Sequence, residues 1–323
     1  MKIVFMGTPD FAVPPLKALA EAGYEVAAVV TQPDKPKGRG KVLMPTPVKE
    51  EAMKHGFAVV QPAKVRNNPE FLEFLREINP DIIVVAAFGQ IIPKEILELP
   101  KFGCINIHAS LLPKYRGAAP IQQAVIDGEK ESGVTIQKMG EGIDTGDMIS
   151  KVTVPLDKEE TGGSLFDKLA EEGAKLLIET LPSIENGTAV YEKQPEESPT
   201  PYAAMITKQM GLMDFSKSAD ELERLVRGMN PWPSAYTYLN GKTLKVWRCE
   251  VVQIIGGACT DEKNTVEPGT VLKADKAGIH VACGRDILVL TEVQLEGKKR
   301  MESDAFLRGY KIDEGTLLKN CKE

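Results

Sequence analysis

Short apolar segments alternate with helical patterns through roughly the first 180 residues, and this alternation restricts the fold more than any other feature. Strands that alternate with helices form a parallel sheet with helices on both faces. Residues 82–85 are all apolar, which predicts a central strand. We therefore predict a doubly wound, mostly parallel, Rossmann-like α/β sheet, with strands at residues 2–6, 25–31, 57–60, 81–87, 103–108, 133–138 and 148–154.

Helices are predicted between these strands, at residues 10–22, 48–55, 69–78 and 164–180. Asn68 is expected to cap the third helix, and Pro69 suits its first turn. Residues 164–167 resemble a capping box, although Asp167 replaces the usual Glu or Gln. The helix that begins there closes the first predicted domain.

A proline-containing segment separates this part of the chain from a differently patterned one. Residues 192–201 have no apolar period, which predicts an extended linker. After a short helix near 218–228, strand-like runs are separated by turn signals at 240–241, 275–278 and 283–286. We predict a small antiparallel β-barrel of the oligonucleotide-binding (OB) type. The predicted domains are residues 1–187, a linker at 188–207, a β domain at 208–314 and a tail at 315–323.

Composition limits the class of protein. A chain of 323 residues suits two domains, and a net charge of −6 argues against a uniformly basic nucleic-acid binder. The most apolar run, residues 82–88, is far shorter than the roughly 20 residues of a membrane span, and no secretory signal is evident. We expect a cytoplasmic protein without membrane contact. The five cysteines and three histidines have no metal-ligand spacing, so we expect free thiols and no metal.

One basic loop follows the second predicted strand. Residues 34–41 carry four cations among two glycines and a proline. Most charged runs are solvated surface, and charge alone favours that interpretation here. The position at the carboxyl end of a parallel strand, where ligands bind in such folds, favours a functional role.

Polar residues also mark the end of the strand at 103–108. Asn106 and His108 point to the same face of that strand. A second polar site is the glycine-rich loop at 140–147, where Asp144 follows Ile143. Each feature alone has a structural explanation: strand-end residues often satisfy nearby backbone groups, and Asp often caps its own turn.

Taken together, these residues resemble the formyltetrahydrofolate-dependent formyltransferases. The resemblance includes Asn106, His108, Asp144 and the intervening SLLP sequence at 110–113. It is strongest for the branch that formylates methionyl-tRNA and extends from residue 2 to about 310. Its ordered motifs are GTPDF at 7–11, QPD at 32–34 with GRGK at 38–41, YRGAAPIQ at 115–122, GVTI at 133–136, DTGDM at 144–148 and NPWP at 230–233.

The resemblance implies a reaction and roles for residues. The formyl group of 10-formyltetrahydrofolate would pass to the α-amine of methionyl initiator tRNA, through a tetrahedral oxyanion. Asn106 and His108 would donate hydrogen bonds to that oxygen. Asp144 would favour the cationic imidazole and relay a proton from the amine to N10. No metal, covalent nucleophile or protein partner is required.

The resemblance also implies two binding surfaces. Residues expected to hold the folate donor follow two strands: Ser110, Leu111, Leu112, Pro113, Phe88, Gly89, Gln90 and Ile92. Residues expected to contact the tRNA are basic: Lys35, Lys37, Arg39, Lys41 and Lys208.

Other functions share parts of this pattern. A formyltransferase acting on a small amine, or a formyltetrahydrofolate hydrolase, would use the same three residues but would need neither the basic loop nor the β domain. A nucleotide-binding oxidoreductase is disfavoured, because the turn at residues 7–10 lacks the further glycines of a dinucleotide site. A non-catalytic RNA-binding protein built on the β domain would bind tRNA without consuming a formyl donor.

Overall fold

A computed structural model describes residues 1–37, 42–254, 260–261 and 264–322. The chain divides into two compact units. Unit 1 comprises residues 1–120, 131–155 and 166–203, and unit 2 comprises residues 121–130, 156–165 and 204–323. Residues 188–203, which the sequence assigns to an extended linker, group with unit 1. No described helix combines the length and apolar character needed to span a bilayer.

The strands of unit 1 are β1 (Lys2–Gly7), β2 (Glu25–Val30), β3 (Lys35–Lys37), β4 (Val42–Met44), β5 (Val59–Val60), β6 (Ile82–Ala86), β7 (Cys104–His108), β8 (Glu131–Lys138) and β9 (Met148–Pro155). Seven of them form one sheet in the order β5-β2-β1-β6-β7-β8-β9. The first five positions are parallel, and β8 and β9 are added antiparallel. The predicted mostly parallel α/β sheet is confirmed.

The helices in this part of the chain are α1 (Val13–Glu21), α2 (Pro47–Lys54), α3 (Pro69–Ile78), α4 (Lys94–Leu97), α5 (Pro120–Asp127) and α6 (Gly162–Glu185). Asn68 caps α3 as predicted, since its Oδ1 accepts from the Phe71 N–H at 3.0 Å. The predicted capping box of α6 is wrong by one turn. Thr161 and Ser164 exchange hydrogen bonds there, with Thr161 Oγ1 accepting from the Ser164 N–H and Ser164 Oγ from the Thr161 N–H.

Both faces of the unit 1 sheet are covered. All five residues of β6 are buried, as the apolar run predicts. On one face, side chains of β1, β2 and β6 form a cluster with Phe71 and Leu75 of α3. On the other, α6 approaches β7 closely, because a Cβ on Gly173 would lie 2.9 Å from Ile107 Cγ2. Asn106 and His108, which alternate with Ile107, therefore leave β7 on the face opposite α6.

Unit 2 contains α7 (Ala219–Gly228), β10 (Ala235–Leu239), β11 (Lys242–Val252), β12 (Thr260–Asp261), β13 (Asn264–Thr265), β14 (Val271–Asp275), β15 (Gly278–Ala282), β16 (Ile287–Leu295), β17 (Met301–Glu302) and α8 (Ser303–Gly309). An antiparallel sheet runs in the order β10-β11-β16-β15-β14, with β17 beside β16. The hairpins at 240–241, 275–278 and 283–286 occur where the turn signals predict them.

The predicted tail takes part in this sheet. Leu317 pairs with Thr270 next to β14, and Lys319 pairs with Tyr238 of β10. These are the two edge strands, so one segment joins both edges. Leu318, between them, is 3% exposed and belongs to the core of unit 2. Pairing of both edges closes the small antiparallel sheet. The sequence predicts a barrel here but assigns residues 315–323 to a separate tail.

Candidate active site

The carboxyl end of β7 presents two polar side chains on one sheet face. Asn106 lies opposite Gln137 of β8 in the antiparallel register, and His108 lies opposite Thr135. Residues directly opposite in such a pair share a face. His108 is 6% exposed and Asn106 is half-buried. The pairing therefore gathers two amides and an imidazole on the face that α6 leaves free.

The carboxylate of Asp144 lies on this polar face. Asp144 belongs to the loop between β8 and β9 and has a left-handed backbone, with φ of +52°. Its Oδ1 accepts from Gln137 Nε2 at 2.8 Å and from Asn106 Nδ2 at 3.4 Å. Its Oδ2 accepts from the Gly117 N–H at 2.9 Å. The structure thus brings Asp144 to the two residues of β7 that the sequence predicts as its partners.

Both ring nitrogens of His108 face oxygen atoms. Nε2 is 3.0 Å from the carbonyl oxygen of Tyr115, and Nδ1 is 3.5 Å from Asp144 Oδ1. A carbonyl oxygen only accepts, so Nε2 carries a proton. Direct donation from His108 to a reacting oxygen requires exchange of one of these partners.

A strained turn aims the Tyr115 carbonyl at His108. Tyr115 is buried and has φ of +57°, a conformation that costs a bulky L-residue about 1–2 kcal/mol. Its N–H donates to Thr200 Oγ1 at 2.7 Å. Gly117 is required two residues later: a Cβ there would lie 2.5 Å from the Ala203 carbonyl oxygen, at φ of +124°. Residues 200–203 thereby fix the turn that contacts both His108 and Asp144.

Several of these contacts are absent from the sequence prediction. Gln137, Gln194 and Arg116 lie around the carboxylate or its loop, and each is at most 7% exposed. Gln137 could have been found, because it follows Thr135 by two residues in β8 and therefore points to the same face of the strand. The role of Gln194 depends on a contact across about fifty residues of chain, which spacing alone does not indicate.

The predicted folate residues have two different environments. Ser110 Oγ donates to the Lys114 carbonyl at 2.7 Å, and Thr135 Oγ1 accepts from the Leu112 N–H at 3.1 Å, so the SLLP turn is internally fixed. Leu111 and Pro113 are half-buried and Leu112 is buried. Leu111 packs beside Gly133, where a Cβ would come within 2.5 Å of its Cδ2.

At the end of β6, the Phe88 and Ile92 side chains lie in the core rather than at the surface. The Phe88 carbonyl accepts from Thr8 Oγ1 at 3.0 Å and Gln32 Nε2 at 3.3 Å, which ties together the ends of three parallel strands. Gly89 is exposed with φ of +82°, and Gln90 Oε1 accepts from the Val65 N–H at 2.9 Å. Of the predicted residues in this segment, Gly89 and Gln90 therefore remain accessible to a ligand, and the Ile91 side chain between Gln90 and Ile92 is 67% exposed.

The basic loop begins and ends in a short antiparallel pair. Lys35 pairs with Met44, so the predicted loop contains a strand, β3, which pairs with β4 at the base of the loop. Lys35 and Lys208 are exposed. Three predicted tRNA contacts lie outside what the structure describes: Arg39 and Lys41 entirely, and the side chain of Lys37.

Two hollows elsewhere on the described surface lack this cluster of polar side chains. Hollows of about 610 and 540 Å³ lie at residues 63–70 and around Ser216 and Arg285, and neither includes Asn106, His108 or Asp144. Among described residues, no group of three or more His, Cys, Asp or Glu side chains is arranged to hold a metal.

Comparison with known proteins identifies the family. The formyl transferase family model matches residues 1–181, and the formyl transferase C-terminal domain model matches residues 205–311. The methionyl-tRNA formyltransferase of Agathobacter rectalis is 57% identical over 98% of this chain and 99% of its own. The chain belongs to the methionyl-tRNA formyltransferase family. The Bacillus subtilis member is 52% identical over 98% of this chain and 96% of its own.

A solved structure of lower identity supports the fold. The N-formyltransferase of Helicobacter canadensis, solved with folinic acid and dTDP-3-aminofucose, is 20% identical with a TM-score of 0.65. It covers 90% of this chain and 99% of its own. The predicted enzyme class, a formyltransferase of the methionyl-tRNA branch, is confirmed by the curated relatives. The curated relatives favour that activity over a small-amine formyltransferase, a hydrolase or a dinucleotide-dependent enzyme.

Proposed function

We propose that this chain transfers the formyl group of 10-formyltetrahydrofolate to the α-amino group of methionyl initiator tRNA, with Asn106, His108 and Asp144 as its catalytic residues. The observation that carries the proposal is the convergence of these side chains. Asn106 and His108 come from the end of β7, and Asp144 comes from a loop 36 residues after His108. The Asn106 amide and the His108 ring both lie within 3.5 Å of one carboxylate oxygen of Asp144. Such a cluster suits proton transfer next to a polarised carbonyl group.

The reaction requires one bond to form and one to break. The lone pair of the neutral α-amine attacks the formyl carbon, and the carbonyl oxygen gains negative charge. The C–N10 bond then breaks, the carbonyl re-forms, and the proton lost by the amine ends on N10. The products are formylmethionyl-tRNA and tetrahydrofolate. The protein must therefore stabilise an oxygen anion and transfer one proton.

Asn106 and His108 are the residues that stabilise the oxygen anion in this proposal. Asn106 is half-buried on the open face of β7, and its amide can donate to an oxygen placed there. His108 is the proposed second donor, and its ring lies close by, with Nε2 3.0 Å from Tyr115 O and Nδ1 3.5 Å from Asp144 Oδ1. Loss of one donor of this type typically lowers the rate by about 10²–10³.

Asp144 is the residue that transfers the proton in this proposal. Its carboxylate accepts the amine proton, directly or through a water molecule, and delivers it to N10. The side chain is 13% exposed, so it is largely shielded yet reachable. Hydrogen bonds from Gly117 and Gln137 hold the carboxylate in one orientation before the substrates arrive.

The folate donor is proposed to bind along the SLLP turn and the backbone that follows β6. The half-buried Leu111 and Pro113 offer apolar surface in the turn that follows β7. The exposed Gly89 permits close backbone approach, and Gln90 adds an amide. An extended, partly apolar ligand requires this combination of apolar surface and a few polar groups.

The tRNA acceptor arm is proposed to bind the loop at residues 35–41, with Lys208 as a further phosphate contact. The base of that loop is anchored. Asp34 pairs with Lys49 at 2.7 Å and accepts from Gln61 Nε2 at 2.7 Å. Hydrogen bonds from Lys49 and Gln61 lower the pKa of Asp34, so the anchor is present at neutral pH. Cations on an anchored loop can contact phosphates of an RNA stem. The proposed substrate, charged initiator tRNA, is consistent with the expected cytoplasmic location.

Mass-spectrometric formylation tests the proposal. Purified protein with 10-formyltetrahydrofolate is incubated with methionyl initiator tRNA, uncharged initiator tRNA or free methionine. We expect the methionyl group to gain the mass of one CO unit only in the first mixture, because a formyl group replaces one hydrogen of the amine. Formylated free methionine at a comparable rate would indicate a small-amine enzyme. Folate-dependent formate release without tRNA would indicate a hydrolase.

A further inference from the structure

A glutamine outside the catalytic trio holds the loop that carries Asp144. Gln194 Nε2 donates to the carbonyl oxygens of Asp144 at 2.9 Å and Gly146 at 2.7 Å. Both amide hydrogens are thereby engaged on the backbone of one loop. We propose that Gln194 is a positioning residue, which acts on formyl transfer by fixing the backbone at Asp144. The inference rests on the proton-transfer role proposed for Asp144.

The loop needs such a restraint because of its composition. Glycines occupy positions 140, 142 and 146, and glycine-rich backbone has little intrinsic preference for one conformation. Asp144 itself has φ of +52°, which few non-glycine residues adopt without support. Gln194 binds the carbonyl of Asp144 itself and the carbonyl of Gly146, two residues later. The hydrogen bonds therefore act on the backbone torsions that decide where the carboxylate points.

Gln194 is itself held in place. It is 6% exposed, and its Oε1 accepts from Arg116 Nε at 3.0 Å. The remaining guanidinium nitrogens of Arg116 donate to the carbonyl oxygens of Glu196 at 3.1 Å and Pro195 at 2.7 Å. This pattern also fixes which end of the Gln194 amide faces the loop, because Arg116 can only donate.

Arg116 connects the restraint to both catalytic partners. It lies between Tyr115, whose carbonyl accepts from His108, and Gly117, whose N–H donates to Asp144. The same three-residue turn thus contacts the imidazole, the carboxylate and the glutamine that holds the carboxylate's loop. Movement of a catalytic group by about 1 Å can cost about a hundredfold in rate. Loss of Gln194 should therefore lower turnover without removing any atom that touches substrate.

The test uses the nearly isosteric Gln194→Glu. This variant keeps an oxygen for Arg116 but removes both hydrogens that bind the loop carbonyls. We expect single-turnover formylation to fall at least tenfold, while the dissociation constant of the folate donor changes less than twofold. Gln123→Ala, which removes a glutamine that contacts Asp127 on α5, is the matched control and should keep the parent rate.

A double-mutant cycle with Asp144→Asn separates positioning from general structure. If Gln194 acts through Asp144, adding Gln194→Glu to Asp144→Asn should cause no further loss in rate. An equal loss in both backgrounds would overturn the inference and leave Gln194 a structural residue. If thermal unfolding shows that Gln194→Glu is not folded at the assay temperature, Gln194→Ala takes its place in the same cycle. A near-parental rate for Asp144→Asn alone would instead refute the proposed mechanism, so the two failures are distinguishable.

Discussion

Replacement of Asp144 by asparagine should abolish most of the proton transfer while leaving the shape of the site nearly intact. The two side chains have the same size, but the amide is not a base. Loss of a general base typically costs about 10²–10⁴ in rate. We therefore expect turnover of Asp144→Asn to fall by at least about a hundredfold, with donor binding close to that of the parent.

The structure also predicts the accompanying loss of stability. Both carboxylate oxygens of Asp144 accept hydrogen bonds, from Gln137 Nε2 at 2.8 Å and from the Gly117 N–H at 2.9 Å. An asparagine has one oxygen, so one of these donors would face an NH₂ group. A buried donor without an acceptor costs about 1–3 kcal/mol. For a domain of about 150–250 residues, each kcal/mol lowers Tm by about 2–4 °C, so the variant should remain folded in the assay.

The assay is single-turnover formylation of methionyl initiator tRNA, with donor affinity measured by titration and folding by thermal unfolding. Glu141→Gln is the matched control. It changes an exposed carboxylate of the same loop, which pairs with Lys94 at 3.2 Å on the surface, and should keep the parent rate within about twofold. If Asp144→Asn retained half of the parent rate, Asp144 would be a turn residue. A parallel loss of donor affinity would assign it to the folate site.

Three further outcomes follow from the structure. Alanine at the four cations of the basic loop should flatten the dependence of log rate on log salt by about one unit per lost phosphate contact, with donor affinity unchanged. Parallel slopes for parent and variant would mean that the loop is ordinary solvated surface. The variant carries alanine at Lys35, Lys37, Arg39 and Lys41. Gly133→Ala should lower Tm strongly, because its Cβ would overlap the Val152 carbonyl oxygen, whereas Gly140→Ala, which has open space, should not. Burial raises the pKa of Cys104 to about 12, so iodoacetamide at pH 8 should label the exposed Cys321 and spare Cys104 until the protein unfolds.

The sequence predicts the sheet well because its signals are local. Apolar alternation and caps such as Asn68 depend on residues within one turn or strand, and the structure has those elements at nearly the predicted positions. The short pair β3 and β4 is missed, since three residues with a proline carry no strand pattern. The closing role of Leu317 and Lys319 is missed for another reason: pairing with both sheet edges is a property of the tertiary fold.

The candidate site divides in the same way. Its chemical groups are readable, because Asn106, His108 and Asp144 stand in recognisable motifs. The groups that orient them are not, since a backbone carbonyl at Tyr115 or an amide at Gln194 has no sequence signature of its own. Only the register of β7 against β8 shows that Gln137 faces Asn106.

The segment at 188–203 shows what a local sequence pattern predicts and what it leaves out. Its prolines predict an extended chain, and from Lys193 to Pro201 the structure has no helix or strand. An extended chain is not necessarily a free one. Its carbonyl oxygens have no helix or strand partners there and need other donors. Arg116 supplies N–H groups to the Gln194 side chain and to the carbonyl oxygens of residues 195 and 196. The extended chain that the sequence predicts as a linker therefore also binds the turn beside His108 and restrains the loop of Asp144.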